Sequence, residues 1–332
     1  MINVLLICGG GSSEHDISLI SAKFILSKLK LIAGITPYYV CIEKNGDRTD
    51  FDGNKCELRK AGILVKESEK EPITLNYAIP CFHGYPGETG DIQSLFDMMG
   101  LPYLGAGAEA SKVCFNKVTT KLWLSALELP NTPYLFLNNT DDDSLNKANT
   151  FFETHRDVFV KASSQGSSVG CFHVQKIEDL KSSCEKALEL SPYVLVEKTI
   201  KGRELEVAVF NYQGKLHAYG PGEIKCQDGF YSYAEKYNQT SKAEVSYKAD
   251  NISEEIESKI LELAKNAFRT LNLKDMARID FFLTEKGEIL INEINTFPGH
   301  TEISLFPKLL EINDLQYEKY LEDRINTNKR SL

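Results

Sequence analysis

Long apolar segments are missing from this chain. No run of about 18 or more apolar residues occurs in the 332 residues, so the sequence predicts no membrane-spanning helix. The opening residues MINVLLICGGG also lack the basic segment and the small-residue cleavage site of a secretion signal. They are typical of a buried β-strand followed by a glycine turn. We therefore expect a cytoplasmic protein without a membrane partner.

Excess positive charge and paired cysteines are missing as well. Lysine and arginine number 38 against 47 aspartates and glutamates, and the net charge of -9 argues against a nucleic-acid partner. The eight cysteines show no C-x-x-C spacing. This pattern predicts reduced, mostly buried thiols in a cytosolic protein and argues against a zinc site.

Alternating strand and helix patterns dominate what is present. Apolar segments at 3–8, 35–42 and 77–82 predict strands, and residues 16–29 have a helical pattern. This order predicts an α/β fold with a parallel sheet, and the length allows two or three domains. The glycine segment 9–13 fits neither a Walker A loop nor a dinucleotide fingerprint, so a tight strand-to-helix turn explains it most simply.

Later segments predict helices and one long polar loop. We expect a helix over 112–128 and an amphipathic helix over 253–273. Residues 220–245 are polar and rich in tyrosine, with little apolar periodicity, which favours a functional loop or lid. The charged tail after about Tyr320 is expected to fray.

Two neighbouring strand patterns near the end of the chain carry polar side chains. Arg278 and Asp280 lie in the first, Glu293 and Asn295 end the second, and a Lys-Gly turn separates them. Side chains two residues apart share a face of a strand, so Asp280, Glu293 and Asn295 can converge. Two carboxylates and an amide suit Mg²⁺, and Arg278 supplies a cationic fork. The alternative is a surface hairpin with ordinary charges.

A small-residue loop follows a predicted strand in the middle of the chain. Lys161 ends this strand, and residues 163–168 are serines, glutamine and glycine. Exposed N–H groups of such a loop can hold a phosphate while the lysine supplies charge. A generic flexible hairpin loop has a similar sequence, so both interpretations stay open here.

Seven motifs in matching order give the chain a resemblance to the D-alanine–D-alanine ligases of the ATP-grasp superfamily. The resemblance covers nearly the whole sequence. The motifs are GGGSSEHDISL (9–19), HGYPGETGDIQ (83–93), KASSQGSSVG (161–170), EKTIKGREL (197–205), YSYAEKY (231–237), ARID (277–280) and NEINTFPGHTEISLFP (292–307).

This resemblance implies an α/β fold, α+β in part, with three-domain ATP-grasp architecture and an N-terminal doubly wound parallel-sheet domain. The N-terminal domain would span 1–105 and hold the first amino-acid site. A central ATP-grasp subdomain would span 106–200, and the C-terminal subdomain, 201–332, would carry the lid and the metal site. A homodimer is expected on the same ground.

The resemblance also implies the residues that bind ATP and metal. Glu197, Lys198 and Ile200 would meet the adenine, and Glu204 the ribose. The phosphates would contact Lys117, Lys161 and Ser168, with Lys236 reaching them from the lid. Asp280, Glu293 and Asn295 would hold two Mg²⁺ ions, for which Mn²⁺ can substitute.

The amino-acid sites are implied in the same way. Glu14 would meet the ammonium of the first D-alanine, with His83 and Arg278 close by. Glu14, Ser167 and Tyr237 would form a hydrogen-bonded set that joins the N-terminal domain to the lid. Ser304 and Leu305 would receive the second D-alanine, and Arg278 with the N–H groups around Gly299 would stabilise a tetrahedral oxyanion.

The implied activity is ATP-dependent joining of two D-alanines through an acyl phosphate, for peptidoglycan synthesis. Two alternatives remain: the same mechanism with D-serine or D-lactate as second substrate, and a non-catalytic ATP-binding regulatory module. The chain departs from the family pattern at Thr89, Ala162, Ser232, His300 and Glu302. None of these is a ligand named above.

His300 is the departure nearest the acceptor site. One hypothesis makes it a solvent-facing residue in a turn. The other places its imidazole in or beside the acceptor pocket, where it would titrate near neutral pH and influence substrate choice.

Overall fold

The N-terminal part of the computed structural model, which describes residues 1–225 and 244–331, is built around a parallel sheet. Its elements are β1 (Ile2–Gly9), α1 (His15–Leu29), β2 (Ile35–Ile42), β3 (Arg48–Thr49), β4 (Cys56–Arg59), β5 (Ile63–Lys66), β6 (Ile73–Thr74), β7 (Tyr77–Cys81) and α2 (Asp91–Met99). Strand β1 pairs in parallel with both β2 and β7, and β3 joins the outer edge of β2. Strands β4, β5 and β6 form a small antiparallel sheet.

Helices cover both faces of the parallel sheet. Side chains alternate along a strand, so Val4 and Leu6 pack with α1 while Leu5 and Ile7 pack with α2. The side chain of Ile7 is almost fully buried, as expected on a parallel strand that has helices on both faces of its sheet. The predicted α/β class with a parallel sheet is thus confirmed.

An antiparallel sheet forms the centre of the chain. The elements are α3 (Ala108–Phe115), α4 (Lys117–Ala126), β8 (Tyr134–Leu137), α5 (Asp142–His155), β9 (Val158–Ala162), β10 (Cys171–Val174), α6 (Leu180–Leu188) and β11 (Val194–Lys198). The strand order is β10-β9-β11-β8. The single helix predicted over 112–128 is wrong: the chain breaks at Asn116, whose side-chain oxygen accepts hydrogen bonds from the N–H groups of Val118 and Thr119 and so begins α4.

A second antiparallel sheet follows. The elements are β12 (Gly202–Tyr212), β13 (Lys215–Lys225), β14 (Glu244–Ser246), α7 (Glu254–Thr270), β15 (Met276–Thr284), β16 (Ile289–Asn295), α8 (Leu305–Ile312) and α9 (Tyr317–Asn328). The strand order is β14-β13-β12-β15-β16. Helix α7 covers one face, where it packs on Leu205 and Val207, and helices α8 and α9 cover the other, where they pack on Ala208 and Phe210.

Helix α9 corrects the expectation of a frayed tail. Tyr320, Leu321 and Ile325 are fully buried, because they enter the same core as β1 and α1 of the N-terminal sheet. Beyond the helix, Arg330 donates hydrogen bonds to the carbonyl groups of Leu75 and Ala61. Lys319 is exposed on the outer side of this helix, and the apolar residues of its inner side fix the chain to the N-terminal part.

The ends of the predicted lid, 220–245, belong to strands. Strand β13 continues to Lys225 and β14 begins at Glu244. The rest of that segment lies outside the described residues, so the lid stays a prediction.

Two other expectations can be checked in the described part of the chain. Within residues 1–225 and 244–331, no helix is both long enough and apolar enough to cross a bilayer. The cysteines described there are free thiols, and all but Cys171 are buried. The prediction of reduced, mostly buried thiols is confirmed for them.

Candidate active site

Two adjoining cavities contain the predicted site residues that the structure describes. The first is lined by Lys117, Lys161, Ser167, Ser168, Glu197, Lys198, Ile200, Glu204, Arg278, Asp280 and Glu293. The second is lined by Glu14, His83, Lys117, Ser167, Arg278, Glu293, Asn295, Gly299, Ser304 and Leu305. Arg278 and Glu293 line both, so the cavities share a wall. Lys236 and Tyr237 lie outside the described residues.

A buried ion network forms one side of the first cavity. Glu197 lies at the end of β11, and its carboxylate accepts from Lys161 Nζ at 2.5 Å and Lys121 Nζ at 2.9 Å. Thr132 Oγ1 donates to the same carboxylate. Burial alone would raise the pKa of Glu197, but the two ammonium groups hold it well below its ordinary value. The carboxylate of Glu197 therefore keeps Lys161 charged and directed to the cavity edge.

Lys121 was missed by the sequence reasoning. Its side chain is almost fully buried, and its ammonium also donates to the carbonyl of Ile291 at 3.3 Å. Burial lowers its pKa, against the opposing effect of Glu197. Its position in the sequence could have indicated this burial. Lys121 lies three residues from both Val118 and Leu124, on the buried side of α4.

The serine loop 163–168 is tied to the start of α4. The N–H of Lys117 donates to the carbonyl of Ser163 at 2.8 Å, and Lys117 Nζ donates to the carbonyl of Gln165 at 2.7 Å. Ser167 and Ser168 both have positive φ, of 50° and 62°. Backbone in this conformation turns successive N–H groups toward one side, an arrangement suited to anion binding.

The predicted hairpin is present as strands β15 and β16. Asp280 pairs with Glu293 and Arg278 with Asn295 across strands β15 and β16. The guanidinium of Arg278 donates two hydrogen bonds of 2.8 Å to Asp280, and Asn295 Nδ2 donates to Asp280 at 3.0 Å. Since the amide nitrogen of Asn295 is engaged, its oxygen is the atom suited to a cation. Two carboxylates and one amide oxygen on one face fit a hard divalent metal ion.

Glu206 is a second residue that the sequence reasoning missed. It lies on β12, beside β15, and Arg278 Nε is 3.0 Å from its carboxylate. Burial lowers the pKa of Arg278, but Asp280 and Glu206 together hold it well above its ordinary value. Arg278 is thus a fixed cation between the cavities. An acidic residue within an apolar strand was the signal, although its partner was visible only in the fold.

Glu14 and the serine loop meet across the second cavity. Ser167 Oγ donates to Glu14 Oε1 at 2.5 Å, as the resemblance implied for this pair. The approach is close because residue 166 is glycine: a Cβ there would lie 2.5 Å from Glu14 Oε2. Only the absence of a side chain lets the loop reach the carboxylate.

His83 and Glu88 lie behind Glu14. The Ser21 hydroxyl and His83 Nε2 are 2.9 Å apart, and burial lowers the pKa of His83. Glu88 accepts a hydrogen bond from the N–H of Gly84 at 2.8 Å. Burial, followed by the carboxylate of Glu14, raises the pKa of Glu88 to about 7. Glu88 was also missed, since its HGYPGETG motif gives no indication of burial.

The predicted acceptor residues lie at the start of α8. Ser304 precedes the helix, and its hydroxyl accepts from the N–H of Thr301 at 2.9 Å. Leu305 is buried, and its side chain fills the space over Gly222. Gly299 lies in the same wall as Ser304. These contacts give the second cavity one polar and one apolar side.

Both hypotheses for His300 need correction. Its side chain is fully buried, so it does not face solvent. The ring lies among Phe297, Phe306 and Tyr317, and Nδ1 donates to the carbonyl of Pro298 at 2.5 Å. Burial and the nearby His83 lower the pKa of His300 to about 3, so it does not titrate near neutral pH. His300 supports the acceptor loop from behind as a neutral core residue.

Comparisons with known proteins agree over the whole chain. A family model described as D-ala D-ala ligase N-terminus matches residues 3–106, and one described as D-ala D-ala ligase C-terminus matches residues 123–326. A D-alanine--D-alanine ligase of Shewanella sediminis is 49% identical over 327 residues, which are 98% of each chain.

Solved structures match as well. The structure of D-alanyl-alanine synthetase A from Vibrio cholerae has a TM-score of 0.92 at 43% identity, over 98% of each chain. The D-Ala:D-Ser ligase VanG of Enterococcus faecalis has a TM-score of 0.86 at 25% identity, again over 98% of each chain.

Two antiparallel sheets that enclose lysines on one side and an acidic hairpin on the other define an ATP-grasp enzyme. Within that class, the chain belongs to the D-alanine–D-alanine ligase family. It is therefore a ligase.

Proposed function

We propose that this protein uses ATP to join two D-alanines into D-alanyl-D-alanine for peptidoglycan precursor synthesis, with release of ADP and phosphate. The observation that carries the proposal is the shared wall of the two cavities. Arg278, Glu293 and Lys117 line both cavities, whereas Lys161 lines only the first of the two and Glu14 only the second. A phosphate held in one and a carboxylate held in the other would meet at this wall. Family membership supports the same reaction.

The first cavity is the proposed ATP site. Lys117, Lys161 and Ser168 contact the phosphates, with Lys161 held charged by Glu197. The backbone of Glu197, Lys198 and Ile200 borders the adenine, and Glu204 borders the ribose. Lys236 and Tyr237 stay predictions from the sequence.

Asp280, Glu293 and Asn295 are the proposed ligands of two Mg²⁺ ions, with Mn²⁺ as a substitute. Their shared face and their oxygen atoms support this assignment. The bound ions would neutralise the charge of the transferred phosphate. In that site Arg278 orients Asp280 through its two hydrogen bonds.

The first D-alanine binds in the second cavity by its ammonium. Glu14 is the proposed partner, and Ser167 orients its carboxylate. His83 lies behind this pair. The carboxylate oxygen of the amino acid attacks the γ-phosphorus, the bond to the leaving ADP oxygen breaks, and an acyl phosphate forms. Positioning and fixed positive charge supply most of the acceleration of such a transfer.

The second D-alanine binds beside Ser304 and Leu305. Its neutral amine attacks the acyl carbon, a C–N bond forms, and phosphate leaves with the C–O bond electrons. Arg278 and Gly299 both line this cavity, and Arg278 with the N–H groups around Gly299 would stabilise the tetrahedral oxyanion. The amine loses its proton before or during the attack, because an ammonium has no lone pair.

The alternatives differ in the acceptor or in activity. A D-serine or D-lactate acceptor would use the same mechanism, and the 25% identity to a D-Ala:D-Ser ligase against 49% to a D-alanine--D-alanine ligase favours D-alanine. A non-catalytic regulatory module would be expected to lose metal ligands or phosphate lysines. The described residues retain Lys117, Lys161, Asp280, Glu293 and Asn295.

The proposed organisation has three domains, 1–105, 106–200 and 201–332, with the first amino-acid site in the N-terminal one. Helix α9 belongs by sequence to the last domain and by packing to the core of the first. A homodimer in the cytoplasm, where ATP is abundant, completes the proposal.

A panel assay tests the reaction. Purified protein is mixed with ATP, Mg²⁺ and D-alanine, D-serine or D-lactate, and phosphate release and product mass are both measured. The expected result is one phosphate per D-alanyl-D-alanine, with the other acceptors slower. Phosphate release without a ligated product, or a depsipeptide as the main product, would contradict the proposal.

A further inference from the structure

A group of metal-type ligands lies in the N-terminal part, apart from the acidic hairpin. A ring nitrogen of His15, the Sγ of Cys41 and a carboxylate oxygen of Glu43 all lie within 4.8 Å of one another. His15 begins α1, and Cys41 and Glu43 lie at the carboxyl end of β2 and just after it. His15 is distant in sequence from Cys41 and Glu43, so no short spacing motif indicates the group.

We propose that His15, Cys41 and Glu43 form a binding site for a zinc ion. Imidazole nitrogen, thiolate sulfur and carboxylate oxygen are the three ligand types that zinc takes in proteins, and a water completes the tetrahedron. Ligand atoms in such a tetrahedron are about 3.5 Å apart, given metal–ligand distances of about 2.0–2.3 Å. The distances between the three ligand atoms therefore need to shorten by only about 1 Å for a zinc ion to be bound.

Each ligand is held by a second group. His15 Nδ1 donates to the carbonyl of Gly10 at 2.7 Å, which leaves the lone pair on Nε2 for a metal. Thr49 Oγ1 donates to Glu43 Oε1 at 2.6 Å and orients that carboxylate. Partners of this kind fix ring tautomer and carboxylate direction in known metal sites.

The thiol of Cys41 has its own support. Strand pairing places Cys8 directly beside it on β1. Zinc binding would release the thiol proton to solvent and leave a thiolate. One thiolate and one carboxylate balance the charge of Zn²⁺, so the complex is neutral. A neutral complex suits this position, because His15 and Cys41 are each 5% exposed. Glu43 is only half-buried and gives the ion a path from solvent.

The proposed zinc site lies next to the loop that carries Glu14 of the proposed substrate cavity. His15 directly follows Glu14, and its ring holds the carbonyl of Gly10 at the other end of the same loop. A zinc ion would thus link β2 to the loop that carries Glu14. This inference stands whether or not the proposed reaction is correct, since it uses none of the ATP or acceptor residues.

Cobalt titration of the full-length protein, with Co²⁺ as the spectroscopic substitute for Zn²⁺, tests the proposal. Thiolate coordination gives a near-ultraviolet charge-transfer band that oxygen ligands do not give, so binding at the acidic hairpin is not confused with binding here. The band should saturate at one Co²⁺ per chain and disappear on addition of Zn²⁺.

Variants assign the band to the site. Cys41→Ser should abolish it and weaken Zn²⁺ binding by about 100-fold or more. Cys56→Ser, a matched change of another buried cysteine in the same part of the chain, should leave both unchanged. Glu43→Gln, at a half-exposed position, should weaken Zn²⁺ binding by about 10-fold or more even if Cys41→Ser does not fold. Absence of the band in the parent protein, its persistence in Cys41→Ser, or equal Zn²⁺ affinity in Glu43→Gln would overturn the proposal.

Discussion

At the scale of single residues, the carboxylates in and beside the second cavity differ in the groups that stabilise their charge. Glu14 accepts a hydrogen bond from Ser167, whereas Glu88 has the N–H of Gly84 and the charge of Lys117 to oppose its burial. Arg278 neutralises Asp280 and Glu206 on the opposite side. Burial outweighs the effects of Gly84 and Lys117 at Glu88 and raises its pKa to about 7, so its protonation should change near neutral pH.

Glu88 should make folding stability depend on pH. Its pKa of about 7 lies above the ordinary value of 4.5, so the folded protein keeps a proton that the unfolded chain releases between these values. Stability is therefore lost as pH rises from about 4.5 to about 7. Glu88→Gln removes this titrating group, so the variant does not undergo the loss. Between pH 5 and pH 8 the free energy of unfolding of the parent should therefore fall by about 2 kcal/mol relative to that of Glu88→Gln. Urea unfolding at both pH values measures it.

The exposed Glu109→Gln provides the matched control for Glu88. It should keep a constant difference from the parent across this range. Parallel stability curves for Glu88→Gln and the parent would show that Glu88 is ionised throughout.

Glu293 should determine the metal dependence of turnover. Glu293→Gln replaces a charged ligand with a weaker neutral one of the same shape, so turnover at low Mg²⁺ should fall by about 100-fold or more. Initial rates measured over a Mg²⁺ series test this. Glu288→Gln, at an exposed position next to the turn of the same hairpin, should behave like the parent. Near-normal turnover of Glu293→Gln at low Mg²⁺ would remove Glu293 from the metal site.

Loops and turns position the site at the scale of elements. The serine loop is fixed at one end by α4 and touches Glu14 at the other, so it bridges the central sheet and the N-terminal sheet. The hairpin of β15 and β16 brings its acidic face to the same wall. Small changes in the backbone of the loop should therefore alter the position of Glu14 at the proposed first amino-acid site.

Gly166→Ala should separate the two substrates. The new Cβ would lie 2.5 Å from Glu14 Oε2, so either the loop or the carboxylate must move. A misplacement of this size should lower kcat/KM for D-alanine by about 100-fold, while ATP affinity measured without D-alanine stays the same. Gly107→Ala is the control, since its Cβ would meet nothing closer than 3.9 Å. An unchanged kcat/KM would show that the loop does not restrain Glu14.

The sequence predicted the hairpin and the loop but not the residues that hold them. Two-residue spacing and a Lys-Gly turn were enough to predict that Asp280, Glu293 and Asn295 converge, because strand periodicity is a local property. Lys121, Glu206 and Glu88 are ordinary charged residues in sequence, and their burial depends on elements far along the chain. The break at Asn116 was missed because a capping side chain looked like one more polar residue of a helix.

One shared core connects the two ends of the chain at the scale of the whole molecule. Helix α9 packs on β12 of the last sheet and on α1 of the first. Arg324 within this helix lies 3.4 Å from Asp275, which in turn accepts a hydrogen bond from the N–H of Gly105. The N-terminal and C-terminal sheets should therefore lose stability together.

Ile325→Ala tests this coupling. Removal of a fully buried isoleucine side chain should cost about 3 kcal/mol. Amide hydrogen exchange of β1 and of β12 should accelerate together, because both strands pack on the altered core. The exposed Thr327→Ala on the same helix should change neither. Faster exchange in β12 alone would show that the two sheets are independent.

The placement of α9 also sets an order of events during translation. Strand β1 is made early, yet the helix that covers part of its core is made long after it. Until α9 leaves the ribosome, the part of this core that α9 covers, including the side of α1 that it contacts, has no permanent cover. A nascent chain at that stage exposes the apolar surface that α9 later covers, and it is a substrate for chaperones that bind apolar surfaces. Speed of elongation through the last helix thus becomes part of what determines the yield of folded protein.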